Sequence, residues 1–122
     1  MAGERVLVCD DDPDIRAIVA MALAEEGYAV VAAADGAAGL AAAAREPPDV
    51  ILLDMRMPGM DGWAFARAYR QRPGGQAKLV CMTAAQNAAA WGREIGADAT
   101  LPKPFDLTTL FAVVDRTLHA PR

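Results

Sequence analysis

The chain reads as an α/β sandwich built on a parallel sheet. Three observations predict it. Five short β-rich runs recur along 122 residues. An amphipathic helical pattern follows each run. Four of the runs are continuously apolar or nearly so, as expected of strands covered by helices on both faces.

The elements come in order. Arg5–Cys9 is the first strand-like run, and Ile15, Ile18, Val19, Ala22 and Leu23 then recur at the spacing of one helix face. Asp12 is placed to cap that helix, with Pro13 in its first turn and Gly27 after its end. Ala29–Ala33 is the second run. The helix after it is Ala-rich, with Ala37, Leu40, Ala41 and Ala44 as its apolar face, Asp35 at its start and Pro47-Pro48 beyond its end. Val50–Leu53 is the third run, followed by a helix through Phe65, Ala68 and Tyr69 that Asp61 opens and Pro73-Gly74-Gly75 closes. Lys78–Met82 is the fourth run, with Ala88, Trp91 and Ile95 on the next helix and Asn87 at its start. Ala99–Leu101 is the weakest run; a final helix through Leu107, Leu110, Phe111, Val114 and Leu118 follows, opened by Asp106.

Bulk composition narrows the class. Hydrophobic residues make up 54% and charged residues 23%, enough for a real core. The formal net charge of -4 gives no basic footprint, so direct nucleic-acid binding is not expected. Cys9 and Cys81 each lie in an apolar run and read as buried thiols; no metal-binding cysteine or histidine cluster is present. His119, the only histidine, reads as a solvated residue near the end of the chain. Without an apolar stretch of signal-peptide or membrane-span length, a soluble cytoplasmic protein is expected, as one domain over residues 1–122 with its strand–helix core over about 5–118 and no output domain.

Parallel α/β sheets build their sites at the carboxyl ends of the strands. Asp10, Asp11 and Asp12 follow the first run, Asp54 the third, Thr83 and Ala84 the fourth, and Lys103 and Pro104 the fifth. Taken singly, each has an ordinary reading: a solvated acidic cluster, a helix cap, a turn aspartate, a strand-end hydroxyl, a surface lysine. Together they form a chemical set. If the first and third strands are neighbours, Asp10, Asp11 and Asp54 converge, and carboxylates so close repel unless a cation joins them. Hard oxygen ligands suit Mg²⁺. A carboxylate beside such an ion can act as a nucleophile toward phosphorus, and Lys103 and the Thr83 hydroxyl can meet the charge of a transferred phosphoryl group, with space left by the small Ala84.

The stretches Val8-Cys9-Asp10-Asp11-Asp12-Pro13, Leu53-Asp54-Met55-Arg56-Met57-Pro58-Gly59-Met60-Asp61-Gly62, Met82-Thr83-Ala84 and Lys103-Pro104-Phe105 resemble the response regulator receiver domain, the partner of histidine kinases, over nearly the whole chain. The resemblance implies a flavodoxin-like (βα)5 three-layer sandwich with strand order 2-1-3-4-5, an order that the chemotaxis member of this family exemplifies. It implies that Asp54 accepts the phosphoryl group. Asp11 binds Mg²⁺ directly, Asp10 mainly through water, and Asp54 and the Arg56 backbone carbonyl complete the protein ligands. Thr83 and Lys103 contact the phosphoryl group, and the Lys103–Pro104 bond is cis. The implied protein is a phosphorylation-driven switch rather than an enzyme. Its donor is a histidine kinase or histidine phosphotransfer protein. Its output is a downstream protein, a relay partner, or a homodimer through the face of the fourth helix, fifth strand and fifth helix.

Departures from the family pattern also carry expectations. Thr100 stands where many relatives have an aromatic switch residue, and the stretch from Thr83 to Gly96 is about two residues shorter than in the chemotaxis type. A short fourth helix and a readout through its movement are expected. At the two positions that tune phosphoryl lifetime in relatives stand Arg56 and Ala85; Ala85 cannot position an attacking water, which predicts slow autodephosphorylation. Met55, Met57 and Met60 read as packing residues around Asp54, and Trp63 and Trp91 as core or interface. The competing readings are a haloacid-dehalogenase-type Mg²⁺ phosphohydrolase, which has Asp14 where its motif needs Thr or Val; a flavodoxin-like electron carrier, whose flavin phosphate the carboxylates would repel; and a scaffold pseudo-receiver.

Overall fold

A computed structural model describes residues 3–121. Five strand–helix pairs alternate along the chain: β1 (Arg5–Cys9), α1 (Pro13–Glu25), β2 (Ala29–Ala33), α2 (Gly36–Arg45), β3 (Val50–Asp54), α3 (Gly62–Gln71), β4 (Lys78–Ala84), α4 (Ala85–Glu94), β5 (Ala99–Lys103) and α5 (Leu107–His119). The sheet is wholly parallel with order β2-β1-β3-β4-β5, as the family resemblance implied.

The period-2 alternation of each strand sorts its side chains between two cores. Val6, Val8, Val50, Leu52, Val80 and Met82 face α1 and α5, where Val19, Leu23, Leu110 and Val114 meet them. Leu7, Cys9, Ile51, Leu53, Leu79 and Cys81 face the other layer, against Phe65, Tyr69, Ala42 and Ala43. The three central strands are thus apolar on both faces, which is why their sequences run without polar interruption. Burying a side chain the size of Leu52 or Phe65 contributes about 1.5–3 kcal/mol each to holding the layers together.

Several expectations need correction. β2 is an edge strand and is largely exposed or half-buried except at Ala33, so its apolar run does not signal cover on both faces. α2 buries Gly36, Gly39, Ala42 and Ala43, whereas Ala37, Ala41 and Ala44 face solvent. The reason is steric. A Cβ on Gly39 would stand 2.6 Å from the Cys9 Sγ and 3.0 Å from the Phe65 ring, so the helix lies on its glycines, which an apolar count does not reveal. Ile18 and Leu107 are 55% and 43% exposed rather than core. The fourth and fifth strands run on to Ala84 and Lys103, and α4 starts at Ala85 with Ala84 as an N-cap that makes no side-chain bond; Asn87 lies inside the helix and caps nothing. α4 has ten residues, the length of α2 and α3, and three fewer than α1 and α5.

The other four helices start as the sequence indicated. Asp12 accepts from the N–H groups of Asp14 and Ile15, Asp35 from Ala38, Asp61 from Ala64 and Asp106 from Thr109. Each bond satisfies an otherwise orphaned donor and contributes about 1 kcal/mol. Both cysteines are buried free thiols. Burial, with Asp10 and Asp35 nearby, pushes the Cys9 thiol up to about 12, and burial with Asp54 pushes Cys81 up to about 11. Both stay protonated and inert at neutral pH. Among the described residues, no helix is long and apolar enough to cross a membrane.

Candidate functional site

The carboxyl ends of β1, β3, β4 and β5 meet on one rim of the sheet. Direct pairing of β1 with β3 sets Cys9 opposite Leu53, which brings the residues that follow, Asp10 and Asp54, together. β4 lies on the far side of β3, with Asp54 opposite Met82, so Thr83 is one step further along. β5 pairs with β4 through Ala84 and Lys103. Asp10, Asp54 and Thr83 are buried at the strand ends, while Asp11 is exposed at the mouth.

Carboxylate oxygens of Asp10, Asp11 and Asp54 all lie within 4.8 Å of one another. The Lys103 ammonium reaches across from β5, 2.9 Å from Asp10 Oδ2 and 3.5 Å from Asp54 Oδ1. Asp10 is thus doubly engaged, since its Oδ1 also accepts the Asp12 N–H at 2.9 Å. The Arg16 guanidinium donates to the Asp10 backbone carbonyl at 2.8 Å, a brace that nothing in the sequence pattern announced. The Arg56 N–H donates to Asp54 Oδ1 at 3.3 Å, which starts the loop after β3 and helps orient the Asp54 carboxylate. The Lys103–Pro104 bond is cis, as expected.

The electrostatics follow from burial and crowding. Burial and then the charge of Asp10 push the Asp54 carboxyl up to about 6, with Lys103 and the Arg56 N–H pulling the other way. Burial works against the charge of Lys103, but the Asp10 and Asp54 carboxylates outweigh it and hold the ammonium above its ordinary pKa. One ammonium therefore pairs with two buried carboxylates, and a third, Asp11, lies exposed at the mouth. The donor set is all oxygen, carries a surplus of negative charge and opens to water at Asp11; it fits a small hard divalent ion such as Mg²⁺.

Met55 and Met57 are buried and Met60 is half-buried, packing residues as expected. Gly62 opens α3 directly beneath them: a Cβ there would come within 2.7 Å of the Met55 backbone, so the loop closes this tightly only over glycine. Trp63 and Trp91 meet edge to face at 4.8 Å between ring centroids, and the Trp63 indole N–H donates to Glu94 Oε1 at 2.7 Å. The Arg56 guanidinium carbon lies 5.9 Å from the Trp91 centroid. The two tryptophans and Arg56 line one side of a cleft of about 450 Å³ whose other walls include Asp11, Met57 and Asp61. Sequence reading placed each tryptophan on its helix but did not pair them, because they lie 28 residues apart with a strand between.

Comparison with known proteins agrees with this arrangement. The response regulator receiver domain family matches residues 6–115. The transcriptional activator protein PfeR of Pseudomonas aeruginosa is 36% identical over 97% of this chain, which corresponds to 39% of PfeR. The DNA-binding transcriptional regulator NtrC of Escherichia coli is 41% identical over 93% of this chain and 24% of its own length. The chain thus spans less than half the length of these curated relatives. The crystal structure of the chemotaxis protein CheY4 of Vibrio cholerae superposes with a TM-score of 0.87 at 34% identity, covering 95% of this chain and 99% of that one. Phosphorylation on aspartate and Mg²⁺ binding at an acidic cluster are characteristic of such domains. The chain belongs to the response regulator receiver domain family of two-component signalling.

Proposed function

We propose that this domain accepts a phosphoryl group on Asp54 from a phosphohistidine of a histidine kinase or phosphotransfer protein, and that the modified domain binds its downstream partner differently. The observation that carries the reading is the Asp54 carboxylate at the end of β3, 3.5 Å from the Lys103 ammonium and clustered with Asp10 and Asp11. With a pKa of about 6, Asp54 is mostly ionised at neutral pH and needs no base. One of its oxygens bonds to phosphorus as the phosphorus–nitrogen bond breaks, and the imidazole leaves with that electron pair. In this reading Lys103 and the Thr83 hydroxyl meet the charge that gathers on the phosphoryl oxygens.

Asp10, Asp11, Asp54 and the Arg56 backbone carbonyl would hold Mg²⁺, which when bound offsets carboxylate repulsion and phosphoryl charge. The domain promotes only its own phosphorylation and dephosphorylation. Ala85, the first residue of α4, offers no group to orient water, and a slow loss of the phosphoryl group follows; a half-life of only seconds in the purified protein would overturn that point. The net charge of -4 leaves DNA contact to other domains or partners. The face of α4, β5 and α5 is the proposed surface for a homodimer.

Incubation with acetyl phosphate and Mg²⁺, read by intact mass, tests the central claim. A single phosphoryl adduct that needs Mg²⁺ and vanishes in Asp54→Asn is expected. An adduct that persists in Asp54→Asn would refute the assignment and point to Asp10 or Asp12. No adduct from acetyl phosphate or from a phosphorylated kinase would refute phosphoryl acceptance altogether.

A further inference from the structure

α4 begins beside the phosphorylation site and packs on the sheet through small and half-buried side chains. It leaves β4 with no side-chain cap and buries only Ala88 and Gly92. It also sits so close to β5 that a Cβ on Gly92 would lie 2.8 Å from Thr100 Cγ2. With threonine at position 100 there is no aromatic ring to rotate against the helix, and another route can carry a signal from the site to α4.

That route is on the other side of the helix. Arg56 follows Asp54 by two residues, and its own N–H is bonded to the Asp54 carboxylate. Its exposed side chain extends to the Trp91 ring on α4, 5.9 Å from the centroid. Trp91 in turn meets Trp63 of α3, and Trp63 is bonded to Glu94 one turn further along α4. The chain of contacts runs unbroken from the acceptor to the helix.

We propose that Arg56 is a positioning residue that couples phosphorylation of Asp54 to the placement of α4. Its guanidinium lies on Trp91 in the unmodified protein, moves to the phosphoryl oxygens once Asp54 is modified, and so releases the Trp91 side of the helix. The inference rests on the phosphoacceptor reading above. A solvent-exposed guanidinium over a half-buried ring is a weak tie. Phosphate oxygens offer the same group charge-assisted, bidentate bonds, and the modification adds roughly one negative charge to the site. The stronger partner appears two residues from the anchor, with no need for Arg56 to move its backbone. What remains to hold α4 is the Trp63–Glu94 bond, the packing of Ala88 and Gly92, and the half-buried Trp91 and Ile95 against the core.

The test is nuclear magnetic resonance on the whole domain with and without acetyl phosphate and Mg²⁺, with adduct formation followed by intact mass. Before modification, the Arg56 side-chain protons should be shifted upfield by the Trp91 ring; in the adduct they should return to ordinary positions. α4 amide exchange should then accelerate by about threefold or more. Trp91→Leu should still form the adduct, show no ring shift at any stage, and lose the acceleration. An adduct in which Arg56 stays ring-shifted would overturn the inference while leaving the phosphoacceptor reading intact, as would a full-sized α4 response in Trp91→Leu. Failure of the wild-type protein to form any adduct would remove the phosphoacceptor reading and this inference with it.

Discussion

The central strands and the fourth helix are neighbours at the site but are held in opposite ways. β1, β3 and β4 bury nearly every side chain between two layers and end in buried Asp10, Asp54 and Thr83. α4 buries two small residues and begins without a cap, whereas the other four helices each have an aspartate there. The proposed acceptor chemistry needs groups fixed to within a fraction of an ångström, and the strands supply that. The proposed switch needs an element whose two positions differ little in free energy, and α4, which fully buries only Ala88 and Gly92, is the candidate. In the proposed function these two demands fall on adjacent elements joined at Arg56.

Substitutions can break that contrast. Phe65→Ala removes a fully buried ring from the layer under the site and should cost about 3–5 kcal/mol in denaturant unfolding, whereas Trp91→Ala on the half-buried face of α4 should cost no more than about 2. Similar costs would refute the claim that the α4 face contributes less to stability than the layer beneath the site. Gly39→Val should follow at about 1–3 kcal/mol, because its Cβ has no space between Cys9 and Phe65.

The pH dependence sharpens the picture of the rigid side. Folding raises the Asp54 carboxyl from 3.8 to about 6. The folded state binds that proton more tightly, so the associated stability is present below about pH 4 and is lost as pH rises through about 6. Asp54→Asn should abolish this component and raise stability at pH 7 by roughly 1–3 kcal/mol, as measured by chemical denaturation at several pH values. A mutant less stable than wild type at pH 7 would contradict the crowding of carboxylates. The same proton competes with a metal, so Mg²⁺ affinity should fall up to about tenfold per pH unit below about 6. The smallest effect concerns caps. Asp106→Ala should cost about 1 kcal/mol, while Asn87→Ala, inside α4, should cost well under that; equal losses would give Asn87 the capping role the structure denies it.

Much of the site was legible because its residues occupy fixed places relative to apolar runs. Asp10, Asp11, Asp54, Thr83 and Lys103 stand at strand ends, and strand ends can be read from where hydrophobicity stops. The caps Asp12, Asp35, Asp61 and Asp106 were legible for the same reason, being local bonds between residues two or three apart. Asn87 failed because the fourth strand runs two residues further than its apolar run and α4 follows it at once, leaving no loop for a cap. The face of α2 was misread because alanine and glycine differ little in hydropathy but greatly in how closely a neighbour can approach. The exposure of β2 was missed because an edge strand and a central strand can carry the same apolar run.

By itself, the sequence determined the alternation of strand and helix, four of the five helix starts and the identity of the acidic and basic groups at the strand ends. These depend on periodicity and on contacts within a few residues. Strand order entered through the family resemblance, and the tertiary structure placed β1 beside β3 and so brought Asp10 to Asp54. It alone decided that Lys103 binds Asp10 more closely than Asp54, that α2 rests on glycines and that Arg56, Trp91, Trp63 and Glu94 form one chain of contacts. Each of these joins residues far apart in sequence, and their meeting depends on how layers pack, which no local pattern encodes.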